Sequence, residues 1–200
     1  MSLSLEEMTA RSAVFALLAR LWLREVDRPL LDDLLETNLR TAFEDTGGVL
    51  PANNNNDTLE ELAIDYCQLF IGPKHHLPPF QSVWTTGQFQ GATVESMNVY
   101  LDVANFNRDD IPNGIMPDHL GVQLLLMSHL LREAALWPGD SDEKQSLQEL
   151  LSTYFTGHLT WAGPLLEAAA SKASTDFYRS VIRMTDEFLK SEASCHKFDC

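Results

Sequence analysis

Positive charge is scarce in this sequence. Lys and Arg number 14 against 29 Asp and Glu among 200 residues, a formal net charge of −15. Nucleic acids and anionic membrane surfaces are bound through basic footprints, so neither is an expected partner. A cationic partner would be attracted, with more effect on encounter rate than on affinity, since exposed ion pairs are each worth about 1 kcal/mol or less. The same acidity also serves plain solubility. Cysteine is equally sparse: Cys67, Cys195 and Cys200 do not make a disulfide framework. Cys67, inside an apolar run, reads as a buried thiol suited to a reducing compartment. No apolar run approaches the roughly 20 residues that a membrane span needs. Glu6 and Glu7 stand where a secretory signal carries positive charge, and Arg20 and Arg24 interrupt the apolar stretch behind them. The expected location is cytoplasmic.

Motifs of catalysis are missing too. No Gly-x-Ser-x-Gly elbow, Gly-Lys-Ser/Thr phosphate loop, His-Glu-x-x-His or Cys-x-x-Cys pair occurs. No catalytic residue and no metal ligand is therefore assigned. His75 and His76 are adjacent on a proline-rich stretch, and His119 and His129 fall on different faces of a helix. Cys195, His196 and Cys200 allow a soft-metal clip, against which stands the simpler reading of an unstructured tail. Asp118 and His119 are neighbours, but adjacent helical residues point about 100° apart, which argues against a catalytic dyad. The plainer reading has Asp118 capping a helix and His119 bonding a nearby loop.

What the sequence does hold is helical periodicity. Met8, Phe15, Leu18 and Trp22 mark a helix over Leu3 to Val26, with Ser4 and Glu7 as a capping box. Pro29 opens a second helix reaching Phe43, ended by Gly47, Gly48 and Pro51. A third starts at Asp57 or Thr58 and carries an apolar stripe through Leu62, Tyr66, Leu69 and Phe70 to Gly72-Pro73. His75 to Trp84, with two prolines and two aromatics, reads as extended and holds apolar groups on or near the surface. Further helices are expected over Thr93–Asn105, Asp118–Leu136, Asp142–His158, Pro164–Ser171 and Thr175–Lys190, with Pro117 opening the most apolar of them. Strand alternation and tandem repeats are absent. The fold class is all-α, a single domain of roughly eight helices over 1–190 with a loose tail over 191–200.

Two local signatures stand out. One runs Asp65-Tyr66-Cys67-Gln68-Leu69-Phe70-Ile71-Gly72-Pro73 and on to Pro78-Pro79-Phe80-Gln81-Ser82-Val83-Trp84. The other is Pro117-Asp118-His119-Leu120-Gly121-Val122-Gln123. Read physically, they are a helix-to-loop corner and a helix start.

In their order and spacing these residues resemble the TorD/DmsD family, including the NarJ type, of chaperones for molybdenum-containing oxidoreductases. The resemblance implies an all-helical TorD-like fold, in some members a domain-swapped dimer. It implies a partner: the apo precursor of a molybdoenzyme catalytic subunit, bound through its twin-arginine leader before export and assisted in taking up its cofactor, a step of anaerobic respiration. It implies no cofactor of the chaperone's own, weak guanine-nucleotide binding and transient contact with the molybdopterin cofactor aside. Tyr66, Leu69 and Phe70 fall where the family keeps its helix-end aromatics. Ser82 and Trp84 fall on its proline loop. Pro117, Asp118 and His119 fall on a cluster implicated in leader recognition, with Gln123 a turn further on. Pro117 directly precedes Asp118 where the family often has Glu-Pro-x-Asp-His, and Gln81 replaces a frequent Glu; both bear on client identity. The expected site pairs an oily surface at Leu69, Phe70 and Trp84 with Asp118, whose carboxylate suits the bidentate geometry of arginine. The competing readings are a structural helical adaptor or dimerisation module, and a nucleotide-binding helical enzyme using Asp118 and His119.

Overall fold

The computed structural model describes residues 4–137 and 141–196, leaving aside the side chains of Thr37, Ser141, Cys195 and His196. Among the described residues the elements are α1 (Leu5–Leu23), α2 (Arg28–Leu35), α3 (Thr37–Asp45), α4 (Asn56–Tyr66), α5 (Gln81–Thr86), α6 (Ala92–Val103), α7 (Leu120–Leu136), α8 (Ser141–His158), α9 (Gly163–Lys172) and α10 (Asp176–His196). These described residues form no strand; Phe80 and His119 make one isolated antiparallel bridge. The all-α class is the one expected. No helix among the described residues is long and apolar enough to cross a membrane.

Among the described residues ten α-helices stand where roughly eight are expected, because one expected helix is broken in two and one further helix forms. The helix expected from Pro29 to Phe43 breaks at Glu36, whose extended backbone closes α2 and opens α3. The stretch expected to be wholly extended starts a helix at Gln81, so that Gln81 to Trp84 form the first turn of α5. Pro117 does not open α7, which begins at Leu120. At the other end, α10 runs on to His196 through residues expected to be loose. The metal-clip reading rests on the side chains of Cys195 and His196 and on Cys200, which lie outside what is described; among the described residues no group of three or more His, Cys, Asp or Glu is placed to hold a metal ion. The Ser4–Glu7 capping box is present as read: Ser4 N–H donates to Glu7 Oε2 at 2.8 Å and Glu7 N–H to Ser4 Oγ at 3.2 Å. The Ser4 N–H, with Ser4 Oγ–H donating to the same Oε2 at 2.9 Å, holds the Glu7 carboxyl below its ordinary range.

The helices gather into two compact units. Periodicity reports where helices lie and is silent on how they group. The first unit contains Phe80–Ala162, the chain up to Leu23 and the chain from Leu189 onward. Its core is α1 against α7, with Phe15, Leu18, Ala19 and Trp22 buried on one side and Leu120, Leu124, Met127 and Leu131 on the other. Gly121 lets the two backbones approach: a Cβ there would lie 2.6 Å from the Leu23 side chain and 3.1 Å from its backbone nitrogen. Within this apolar contact Ser12 Oγ donates to Ser128 O at 3.0 Å and Ser128 Oγ to Ser12 O at 2.8 Å, so neither hydroxyl is buried unsatisfied.

The second unit is Arg24–Pro79 with Gly163–Phe188. Leu31, Leu34, Phe43, Leu62 and Leu69 fill its core with Leu165 and Phe177. Phe43 stacks on Phe177 with ring centroids 5.9 Å apart. Cys67 is half-buried, not the buried thiol expected: the apolar stripe passes through Leu62, Tyr66, Leu69 and Phe70 and leaves Cys67 at its edge.

Candidate functional site

Both sequence signatures turn on a buried aspartate that holds the start of a helix distant in sequence. In the second unit, Asp65 Oδ1 accepts from Ser174 N–H at 3.0 Å, and Oδ2 accepts from Thr175 N–H at 2.8 Å and Thr175 Oγ1 at 2.6 Å. Thr175 Oγ1 in turn accepts from Tyr178 N–H at 3.2 Å. Asp65 thus binds the two amides just before α10 and orients Thr175, whose hydroxyl oxygen caps the first turn of the helix.

The rest of that signature leaves α4 through a single π-helical turn, Cys67–Ile71. Its closing bond runs from Gly72 N–H to Cys67 O at 2.6 Å, and a Cβ at position 72 would sit 3.1 Å from that oxygen. Such turns often mark functional sites. Tyr66, Leu69 and Phe70 are buried here, Leu69 completely. Leu69 O then accepts from Leu77 N–H at 2.7 Å, which pins the proline-rich segment to the end of the turn.

In the first unit, Asp118 caps α5 directly, at an amide within its first turn. Its Oδ2 accepts from Ser82 N–H at 2.9 Å and from the Thr93 hydroxyl at 3.4 Å, and its carbonyl accepts from Gln81 N–H at 2.9 Å. Asp118 Oδ1 and Ser82 Oγ are buried without a hydrogen-bond partner. The cap of α7 is His119, not Asp118. Its Nδ1 accepts from Gly121 N–H at 3.0 Å, which fixes the ring proton on Nε2. Burial holds this imidazole neutral by pushing its pKa down to about 3. Phe80 packs edge-on against His119 at 5.0 Å, and the exposed Phe89 packs edge-on against Phe80 at 5.6 Å.

Beside this cap runs a polar network whose direction is fixed at both ends. Trp161 Nε1–H, which can only donate, bonds Gln123 Oε1 at 2.9 Å. The Gln123 amide must then donate to Gln81 Oε1, at 2.7 Å, and Gln81 Nε2 donates to Gly157 O at 2.8 Å. His158 Nδ1, 3.0 Å from the same Gln81 Oε1, is consequently the protonated nitrogen, and Nε2 accepts from Ser96 Oγ at 3.0 Å. Tyr154 Oη donates to Gln123 O at 2.9 Å, and burial raises its pKa. Burial lowers the His158 pKa, and the Asp118 charge opposes that shift.

The expected site residues therefore fall in two groups. Ser82, Trp84, Pro117, Asp118, His119 and Gln123 belong to the first unit, and Tyr66, Leu69 and Phe70 to the second. Trp84 and Pro117 are half-buried, whereas Ser82, Asp118 and Gln123 are 0% exposed. Leu69, also 0% exposed, offers no accessible oily surface. Asp118 is likewise inaccessible in this arrangement, because it is spent on α5. Spacing alone does not reveal Thr93, Ser96, His158 and Trp161 as parts of one site; the available signal is the three-residue spacing of His158, which ends α8, and Trp161, in the 3-10 turn that follows.

A family model described as nitrate reductase delta subunit matches residues 29–167. Chaperone protein YcdY of Escherichia coli (strain K12) is 29% identical over 133 residues, 66% of this chain and 64% of that protein, so this match spans just under two thirds of the relative. Chaperone protein TorD of Shewanella pealeana is 25% identical over 208 residues, covering 92% of this chain and 88% of that protein. Among solved structures, a redox enzyme maturation protein from Archaeoglobus fulgidus has the same fold, with a TM-score of 0.56 at 17% identity over 90% of this chain and 93% of that one. Since the family model covers more than half of the sequence, the chain belongs to the nitrate reductase delta subunit family, of the NarJ and TorD type, and the relatives it matches are named chaperones.

Proposed function

We propose that this protein is a cytoplasmic maturation chaperone that binds the twin-arginine leader and the apo form of a molybdoenzyme catalytic subunit, delaying export while the cofactor is inserted. The observation that carries this reading is the family match over residues 29–167, which includes both signatures. Physical features agree with it. A twin-arginine leader has a basic head and an apolar middle, and the chain's net charge of −15 favours encounter with the head. Covering roughly 300 Å² of the apolar middle at ~25 cal/mol/Å² supplies about 7–8 kcal/mol, near what a micromolar complex requires before ordering costs. Trp84 on α5 is a half-exposed aromatic of the site suited to that contact. Asp118 acts one step back, by holding the start of α5.

The direct test is affinity capture of the tagged chain from its native cells, with mass spectrometry of what it holds. An unprocessed oxidoreductase precursor with its leader intact supports the reading. Recovery of the chain with no leader-bearing precursor contradicts it.

A further inference from the structure

Gln81 stands at the head of α5, and its side chain joins four groups: Gly157 O, Gln123 Nε2, His158 Nδ1 and, through His158, Ser96 Oγ. We infer that His158 is a positioning residue that sets α5, and with it Trp84, through Gln81, and that this joint holds while the ring takes up a proton: the neutral ring donates to Gln81 and accepts from Ser96, and the charged ring keeps both contacts by reversing one hydroxyl.

The hydrogen-bond directions carry this. Gln81 Oε1 accepts from Nδ1–H in either protonation state of His158. Ser96 Oγ lies 3.0 Å from Nε2 and, as a hydroxyl, serves equally as donor or acceptor. Charging the ring therefore breaks no bond. His119 is different. Its Nδ1 accepts from the backbone N–H of Gly121, which cannot reverse, so charging that ring destroys the cap of α7. Of these two buried imidazoles in one unit, only His158 can take a proton with its contacts intact.

The titratable groups facing His158 are Asp118 from the turn before α7, Tyr100 on α6 with its ring edge-on at 5.2 Å, and Tyr154 on its own helix at 5.3 Å. Asp118 favours the charged ring and burial opposes it. A proton on His158 adds positive charge beside Asp118, so a cationic peptide is held less well once the ring is charged. The joint also specifies an amide at position 81. Gly157 O lies 2.8 Å from Gln81 Nε2, and a carboxylate there would face that carbonyl while drawing a proton onto His158.

The functional arm of this inference rests on the leader-binding reading, and the test separates the two. Imidazole nitrogen NMR of the wild-type chain at neutral pH should show His158 as the Nδ1–H tautomer. Lowering the pH should charge it while the backbone spectrum stays folded. Gln81→Glu should raise its midpoint by at least about one pH unit, and Ser96→Ala should lower it, because the charge-assisted bond is the stronger of the two. An Nε2–H tautomer, a transition coincident with unfolding, or an unmoved midpoint in Gln81→Glu overturns the joint. For positioning, affinity for a synthetic twin-arginine leader should fall several-fold in the wild type as His158 charges. His158→Asn, which keeps the donor to Gln81 without titrating, should hold neutral-pH affinity and lose the pH dependence, whereas His158→Leu should lose affinity. If His158→Asn behaves like His158→Leu, positioning through Gln81 is wrong. If the wild type binds no leader at any pH, the leader reading fails, while the tautomer and titration still decide the joint.

Discussion

The Asp118 carboxylate accepts the backbone N–H of Ser82 at 2.9 Å across 36 residues of sequence. A six-residue helix preceded by two prolines has little stability of its own, so this bond and the Gln81 N–H···Asp118 O bond fix where α5 begins. Asp118→Ala leaves a buried amide without an acceptor and should cost about 1–3 kcal/mol in urea unfolding. Asp118→Asn keeps an oxygen in place and should cost less. Equal losses for the two variants would show that the acceptor is not what matters.

Asp65 is the counterpart in the second unit, with three donors on one carboxylate. Asp65→Ala orphans the Ser174 and Thr175 amides just before α10, frees the Thr175 hydroxyl that caps it, and should destabilise by about 2–4 kcal/mol. Hydrogen exchange should place the loss at the first turn of α10. Uniform loosening across the chain, with no focus there, would assign Asp65 another role.

His119 makes stability depend on acid. Its folded pKa of about 3 lies below the ordinary histidine value of 6.5, so below about 6.5 the unfolded chain binds a proton that the folded chain refuses. The contribution is complete above that pH and is lost as pH falls from about 6.5 toward 3, at up to roughly 1.4 kcal/mol per unit. His119→Asn keeps an N-cap acceptor and removes the titration. Urea unfolding followed from neutral to weakly acidic pH should show a shallower slope in the variant; an unchanged slope would place the lost proton elsewhere.

Gly121 sits where α7 meets the end of α1. Gly121→Ala drives a methyl to 2.6 Å from the Leu23 side chain and 3.1 Å from its backbone nitrogen. The flexible side chain yields more readily than the backbone, so a cost of about 1–3 kcal/mol is expected, read as a lower thermal midpoint. An unchanged midpoint would mean that the two helices separate without penalty.

Much of the fold was legible because helical periodicity is local. The Ser4–Glu7 box, the apolar α7 and the end of the π-helical turn at Gly72 are set by residues within a few positions of one another. What was illegible depends on partners far along the chain. Nothing near Gln81 announces a helix, because its capping carboxylate comes from Asp118. His119 displaced Asp118 as the cap of α7 because the chain enters that helix later than Pro117 suggests, freeing Asp118 to turn toward α5. The signatures pointed to residues that matter, while their assigned roles, oily surface for Leu69 and open carboxylate for Asp118, ran against complete burial. The Gln81–Gln123–His158–Trp161 network joins four segments and leaves almost no local trace.

Titration calorimetry of the wild-type chain with a synthetic twin-arginine leader, beside the same leader with both arginines changed to glutamine and beside Trp84→Ala, reaches the central proposal most directly. The expected result is one-to-one binding near the micromolar range that weakens about tenfold or more in each altered pair, an aromatic anchor being worth about 2 kcal/mol. Equal heats for the intact and arginine-free leaders, or full affinity in a folded Trp84→Ala variant, would contradict it.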